Sequence, residues 1–243
     1  MKKIIVGLKG GLGNQLFQYA FGKYLSEKYN CKLKLDKSLF AYYDLHDYSL
    51  DPYKLNEEFA SEQEIPKQYL TNNKILRKVY TITDRFFCKT RIIKEESLSF
   101  NAELIQQNSD FIYLDGYWQS EKYFESIFEQ MRHNLAIKPA FYSESNNNYL
   151  SDIQEYNSVS IHIRRGSYTI EKYQQVHGLT PLEYYNKAIQ KIKRDIKSPK
   201  FFIFSDDTKW VRENFESLTN STIIEGTPEK DYLDIFLMSQ CKH

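Results

Sequence analysis

From Ser158 to Arg164 apolar and polar residues alternate strictly, with Val159, Ile161 and Ile163 set against Ser160, His162 and Arg164. A period of two marks a half-buried strand. The residues beyond this strand constrain the fold further, because helices and strands take turns there. Thr180-Pro181-Leu182-Glu183 reads as a capping box with Pro at the first helical position. It opens a helix that presents Tyr185, Ala188, Ile189, Ile192 and Ile196. Phe201–Phe204 reads as a strand, Trp210, Val211 and Phe215 as a helix, and Thr222–Ile224 as a strand. Thr227-Pro228 is expected to open a last helix through Tyr232, Ile235, Phe236 and Met238. Such alternation predicts a parallel sheet covered by helices.

The first half carries a separate unit of the same kind. Lys3–Leu8 is a short buried strand, and Gly10-Gly11-Leu12-Gly13-Asn14 is a glycine-dense loop. Leu16, Phe17, Ala20, Phe21, Tyr24 and Leu25 then fall at helical spacing. Asn14 is the expected N-cap. Lys32–Asp36 reads as a second strand, 37–60 as a long loop and 61–98 as loosely helical. Phe111–Asp115 reads as another strand, followed by a turn and a helix capped by Ser120 that carries Tyr123, Phe124, Ile127, Phe128 and Met131. Residues 138–157, with Pro139 and three consecutive asparagines, mark a domain boundary. The expectation is therefore an α/β protein of two domains, 1–150 and 151–243, facing each other across a cleft.

Composition narrows the function classes. A net charge of +1 over 243 residues gives no field that favours nucleic acid or a membrane surface. The apolar run after Met1-Lys2-Lys3 is too short for a signal peptide, and no run approaches a transmembrane span. Cys31, Cys88 and Cys241 are widely spaced without metal-ligand spacing, and predict reduced thiols of a cytoplasmic protein. Tyr, Phe and Trp make up 16% of the chain; most are expected to fill cores rather than stack on ligands.

Two stretches carry chemistry. Arg164 and Arg165 leave a strand tip just before Gly166, and paired guanidinium groups suit a phosphate anion because each donates bidentately. In open α/β sheets such tips line the ligand crevice; a solvated pair on an edge strand is the plain alternative. The Gly11–Asn14 loop sits between a strand and a helix, where free N–H groups and a dipole attract anions. It lacks the Gly-Lys-Ser/Thr of a nucleotide-hydrolysing loop and the third glycine of a dinucleotide fingerprint. A plain tight turn remains the alternative there.

Gly10-Gly11-Leu12-Gly13-Asn14-Gln15-Leu16-Phe17-Gln18-Tyr19-Ala20, combined with His162-Ile163-Arg164-Arg165-Gly166, resembles the bacterial α-1,2-fucosyltransferases of glycosyltransferase family 11. The stretches Leu114–Phe124, Phe204–Asp207 and Asp231–Cys241 are similar to that family too. The resemblance implies two Rossmann-like domains of the GT-B type and transfer of L-fucose from GDP-fucose to the 2-hydroxyl of a galactoside. Inversion at the anomeric carbon is implied, with no metal and no cofactor. The chain contains no Asp-x-Asp, and without Mg²⁺ the departing diphosphate needs protein charge, which an Arg pair supplies. Carried over, Arg164 and His162 would be catalytic, and Arg164, Arg165, Asp206, Asp207, Gly11 and Asn14 would bind the donor. For Asp206-Asp207 a helix N-cap is the alternative role. The general base and the acceptor residues stay open. A surface glycan as acceptor implies peripheral association with the inner membrane.

Two departures from the family stand out. Ser167 replaces an Asp, and the family continues with a further strand and a Ser/Phe/Trp-rich segment where this chain stops at His243. The expectation is an incomplete C-terminal donor domain. The competing readings are an inactive sugar- or nucleotide-binding remnant and a transferase of another nucleotide sugar or linkage.

Overall fold

The computed structural model describes residues 3–42, 46–55, 58–87, 90–106, 109–142, 144–166, 169, 178–226 and 230–243, with the side chains of 85–87 and 144–146 outside that description. The chain divides into two compact units, Met1–Lys138 and Pro139–His243.

In the first unit five strands form one sheet in the order β3-β2-β1-β5-β4. They are β1 (Lys3–Gly7), β2 (Lys32–Asp36), β3 (Glu58–Phe59), β4 (Arg91–Lys94) and β5 (Phe111–Asp115), and every pairing is parallel. The central strand β1 reads Ile-Ile-Val because both of its faces are covered, as parallel sheets require. Ile4, Ile5 and Val6 are all at most 3% exposed, so burial contributes roughly 1.5–3 kcal/mol for each. Helix α1 (Leu12–Lys28) follows the glycine loop and α2 (Lys74–Phe87) precedes β4. The expected long loop over 37–60 holds a 3-10 turn (Ser38–Tyr42) and the two-residue strand β3. The loosely helical 61–98 resolves into α2 plus β4. Both strands lie at sheet edges and are very short, which leaves too few residues for a periodic signal.

Two capping expectations fail in this unit. Gly11 occupies the N-cap of α1, so Asn14 is already inside the first turn. Ser120 makes no side-chain cap, and Phe124 at φ −142 divides the expected helix into two 3-10 turns before α3 (Phe128–Asn134).

The second unit holds α4 (Glu144–Glu155), then β6 (Asn157–Ile163), α5 (Leu182–Asp195), β7 (Pro199–Ser205), α6 (Thr208–Phe215), β8 (Ser221–Ile223) and α7 (Asp231–Gln240). Its three strands run parallel in the order β6-β7-β8. Val159, Ile163, Phe201 and Ile203 pack on one face with Tyr185, Ile189, Val211 and Phe215 of α5 and α6. Phe202 and Phe204 pack on the other with Ile153 and Leu237 of α4 and α7. Pro181 is the N-cap of α5 rather than its first helical residue, with no side-chain cap bond, so the capping box does not form. Thr227-Pro228 lies outside the described residues. After α7 the chain returns to the outer edge of β6, where the Ser160 N–H donates to the His243 carbonyl (2.8 Å) and the His243 N–H donates to the Ser158 carbonyl (3.1 Å).

Candidate active site

The parallel register pairs Ile163 with Ser205, so the residues that leave β6 and β7 emerge side by side. Arg164 and Asp206 form one ion pair (Nε to Oδ2, 3.1 Å), and Arg165 and Asp207 a second (Nε to Oδ2, 3.2 Å). Asp206 Oδ1 also accepts the backbone N–H groups of Arg165 (2.7 Å) and Gly166 (3.0 Å). It therefore holds the turn as well as the guanidinium. A Cβ on Gly166 would come within 2.6 Å of Asp206 Oδ2, so a larger residue there must displace that carboxylate. Asp207 caps α6 by accepting the Trp210 N–H at 3.1 Å. The Arg165 guanidinium lies 4.1 Å from the centre of the Trp210 ring, a cation–π contact. The Ser205 hydroxyl ties the strand tips together by donating to the Ile163 carbonyl and accepting the Asp207 N–H.

The two arginines are thus placed differently. The Arg165 side chain is 19% exposed and stacked, whereas the Arg164 side chain is 43% exposed and is paired through Nε. His162 lies on the strand face opposite Val159 and Ile163, the face that also carries Arg164. Partial desolvation and then the Arg164 charge hold its imidazole below the usual value, against the pull of Asp206 and Asp231. At neutral pH it is an uncharged group able to donate one hydrogen bond and accept another.

Helix α7 adds a carboxylate that sequence reading did not single out. Burial, then the neighbouring Asp231 charge, push Asp234 up to about 6. Its Oδ2 lies 3.3 Å from where a Cβ on Gly226 would stand. A carboxyl poised there suits general acid–base chemistry. The signal available was Asp231-x-x-Asp234, three residues apart and therefore neighbours on a helix.

In the first unit the glycine loop is held from inside by two amides. Gln15 is fully buried; its amide donates to the Gly10 and Asp47 carbonyls, and its carbonyl accepts the Ser49 N–H. Gln18, also fully buried, accepts the Lys9 N–H and donates to the Lys9 and Gly116 carbonyls. Gly10 sits at φ +77, a conformation that only glycine adopts without strain. Asn14 Oδ1 accepts from Gln119 Nε2 at 2.6 Å, and His46 lies 3.4 Å from where a Cβ on Gly11 would stand. Neither glutamine nor His46 was picked out from sequence, since a buried amide carries no periodic signature.

Beside the loop, Lys9 Nζ donates to Asp115 Oδ1 (2.6 Å) and the Tyr69 hydroxyl to Oδ2 (2.9 Å). Burial alone would raise the Asp115 carboxyl; these two partners outweigh it and hold the group low. Tyr113 donates to Asp36 (2.7 Å) and stacks on Tyr69 with ring centres 4.5 Å apart. The Glu95 carboxylate accepts the N–H groups of Tyr117 and Trp118, which fixes Trp118 at φ +56 in the core. A cavity of about 870 Å³ opens beside Asp115 and Tyr69, with Arg77, Arg91 and Lys94 on its wall. It lies in this unit and does not include the arginine pair. Among the described residues no group of three or more His, Cys, Asp or Glu could hold a metal ion.

Known proteins share this framework. An α-1,2-colitosyltransferase of Escherichia coli is 33% identical, covering 100% of this chain and 83% of its own length. The O-antigen biosynthesis glycosyltransferase WbnK of Escherichia coli is 29% identical, covering 97% and 83%. A crystal structure of NodZ α-1,6-fucosyltransferase soaked with GDP-fucose superimposes with a TM-score of 0.53 at 12% identity, over 98% of this chain and 82% of that one; NodZ comes from Bradyrhizobium. At that identity the likeness speaks for the fold. The sequence model of glycosyl transferase family 11 matches residues 3–243, and the chain belongs to that family.

Proposed function

We propose that this family member transfers L-fucose from GDP-fucose to the 2-hydroxyl of a galactoside, inverting the anomeric carbon, on a GT-B framework and without a metal ion. The observation that carries the reading is the exposed Arg164 guanidinium, oriented through Nε by Asp206 beside the stacked Arg165. Its terminal nitrogens bind the diphosphate and stabilise the charge that grows there as the glycosidic bond breaks. Arg165 adds positive charge and keeps the turn in place through Asp207. Neutral His162 hydrogen-bonds a phosphate or sugar oxygen.

Asp206 and Asp207 position the arginines, and one of them also binds the guanine or ribose of the donor. Asp234 is the candidate to take the acceptor proton, since its raised pKa matches proton transfer near neutrality. Gly11 and Asn14 are assigned to donor binding on the likeness of their motif to the family. The chain's likeness to an α-1,2-colitosyltransferase along its whole length favours one second reading, in which the site and linkage are kept and colitose replaces fucose. Phosphate charge, which is what the arginines read, does not distinguish the two sugars.

Calorimetry of GDP and GDP-fucose with EDTA present tests the donor site. Product linkage analysis with galactoside acceptors then tests the reaction. Micromolar binding of both nucleotides and an α-1,2-linked fucosyl product are expected. A chain that binds neither nucleotide is not a GDP-sugar transferase in this form, and exclusive turnover of a colitosyl donor establishes the second reading.

A further inference from the structure

Helix α2 (Lys74–Phe87) is attached to the first unit by polar bonds. The Asp84 carboxylate accepts the Gln68 N–H at 3.1 Å and the Thr81 hydroxyl bonds the Gln68 side chain at 2.8 Å. Among the described side chains of the helix, Tyr80, Thr83 and Asp84 are turned inward. The aliphatic residues described on the helix lie elsewhere: Ile75 is 74% exposed, Val79 48%, Ile82 62% and Leu76 44%. Ile75, Val79 and Ile82 are spaced four and three apart, which places them in one stripe along the solvent side. None of them supports the core, and apolar surface gathered in this way marks an interaction site.

The charges on the same stretch choose the partner. From Lys74 to Thr83 the charged residues are Lys74, Arg77 and Lys78, with no acid among them. Two copies of the helix packed face to face would bring these cations together, while the Asp84 carboxylate of the same helix is buried and turned away from that face. An anionic surface complements them while accepting the apolar stripe. A helix with one apolar face, a basic polar face and little overall hydrophobicity lies in the plane of a lipid interface. No helix among the described residues is long and apolar enough to cross a membrane. We propose that the outer face of α2 docks this protein on an anionic lipid surface, with Ile75, Val79 and Ile82 entering the headgroup region and Lys74 and Lys78 pairing with lipid phosphates. The proposal is independent of which sugar is transferred.

Sedimentation of the full chain with phosphatidylglycerol-containing vesicles, and with phosphatidylcholine vesicles alone, tests it. Binding is expected only to the anionic vesicles and is expected to weaken as salt is raised. A variant combining Ile75→Ser, Val79→Ser and Ile82→Ser should lose vesicle binding by about tenfold or more. Its circular dichroism should not change, because all three sites face solvent. Lys74→Glu with Lys78→Glu should abolish the preference for anionic lipid with the stripe left intact. Absence of binding, equal binding to neutral vesicles, or serine and glutamate variants that bind as the parent does would each overturn the proposal. So would a dimer in sedimentation velocity that the serine variant dissolves and that ignores vesicles, since a second copy would then cover the face.

Discussion

The two units bring polar side chains to the ends of parallel strands in opposite ways. In the first, Gln15, Gln18, Asp36 and Asp115 are buried and bonded to backbone, to tyrosines or to Lys9, so their hydrogen-bonding capacity is spent on shape. In the second, Arg164, Arg165, Asp206 and Asp207 form ion pairs at the surface, and each retains some exposure. Buried polar groups are tolerated only when bonded, and removing a partner exposes the full desolvation penalty. Surface ion pairs contribute little to stability, yet they keep charge where a ligand can reach it. The glycine loop is therefore a rigid fixture and the arginine turn is an electrostatic instrument.

Substitutions should separate these roles. The largest effect is expected for Gln18→Ala, which strips partners from the Lys9 N–H and from the Lys9 and Gly116 carbonyls. At about 1–3 kcal/mol for the buried Gly116 carbonyl left unpaired, and less for the part-buried Lys9 groups, the loss should be about 2–4 kcal/mol. Denaturant unfolding would register it, and a drop below about 1 kcal/mol would show that the loop does not depend on this amide. Arg164→Ala should do the reverse. Stability should hardly change, while GDP affinity in calorimetry should fall by ~1.5–3 kcal/mol, roughly ten- to hundredfold. Unchanged affinity would remove Arg164 from the donor site.

Gly166→Ala tests whether the instrument needs its own fixture. The new methyl group must displace Asp206 Oδ2, which frees Arg164 from its partner and the turn from its acceptor. A loss of about 1 kcal/mol in stability is expected, with weaker GDP binding than in the parent. A variant equal to the parent in both respects would show that Asp206 does not orient Arg164.

Legibility in the sequence divides along the same line. The arginine turn was legible because it joins a period-two strand to charged residues at its tip, and the parallel register brings Asp206 and Asp207 beside it. Strands β1, β2, β5, β6 and β7 were legible for the same reason, as long apolar or alternating runs. The framework around the glycine loop was not. Gln15 and Gln18 fall on the buried side of α1, where apolar residues are expected, and their partners Asp47 and Gly116 are remote in sequence. Capping signals misled at Asn14, Ser120 and Thr180, because backbone geometry placed Gly11 and Pro181 at the caps and broke the helix at Phe124. Asp234 was hidden because its unusual proton affinity comes from burial on α7 beside Asp231 rather than from any pattern of its own.

The smallest effect expected is also the one that opposes the two units in sign. Burial and Asp231 raise Asp234 from 3.8 to about 6, so the folded second unit holds this proton more tightly than the unfolded chain does. Its contribution is fully present below about pH 4 and is lost as pH rises to about 6. Glu64 in the first unit behaves oppositely. Burial would raise it, but bonds from Lys3, the Ser61 N–H and Lys34 lower it from 4.5 to about 2, so its contribution is present above pH 4.5 and is lost as pH falls towards 2. Asp234→Asn should therefore gain stability over the parent by about 1 kcal/mol at pH 7 and show no gain at pH 4, after allowance for solvent screening. Glu64→Gln should lose stability at pH 7 and approach the parent near pH 2. Thermal midpoints of the two variants measured against pH would show the crossing. If the Asp234→Asn difference is flat from pH 4 to 7, the carboxyl is not held protonated by burial, and its case as the group that accepts the acceptor proton fails with it.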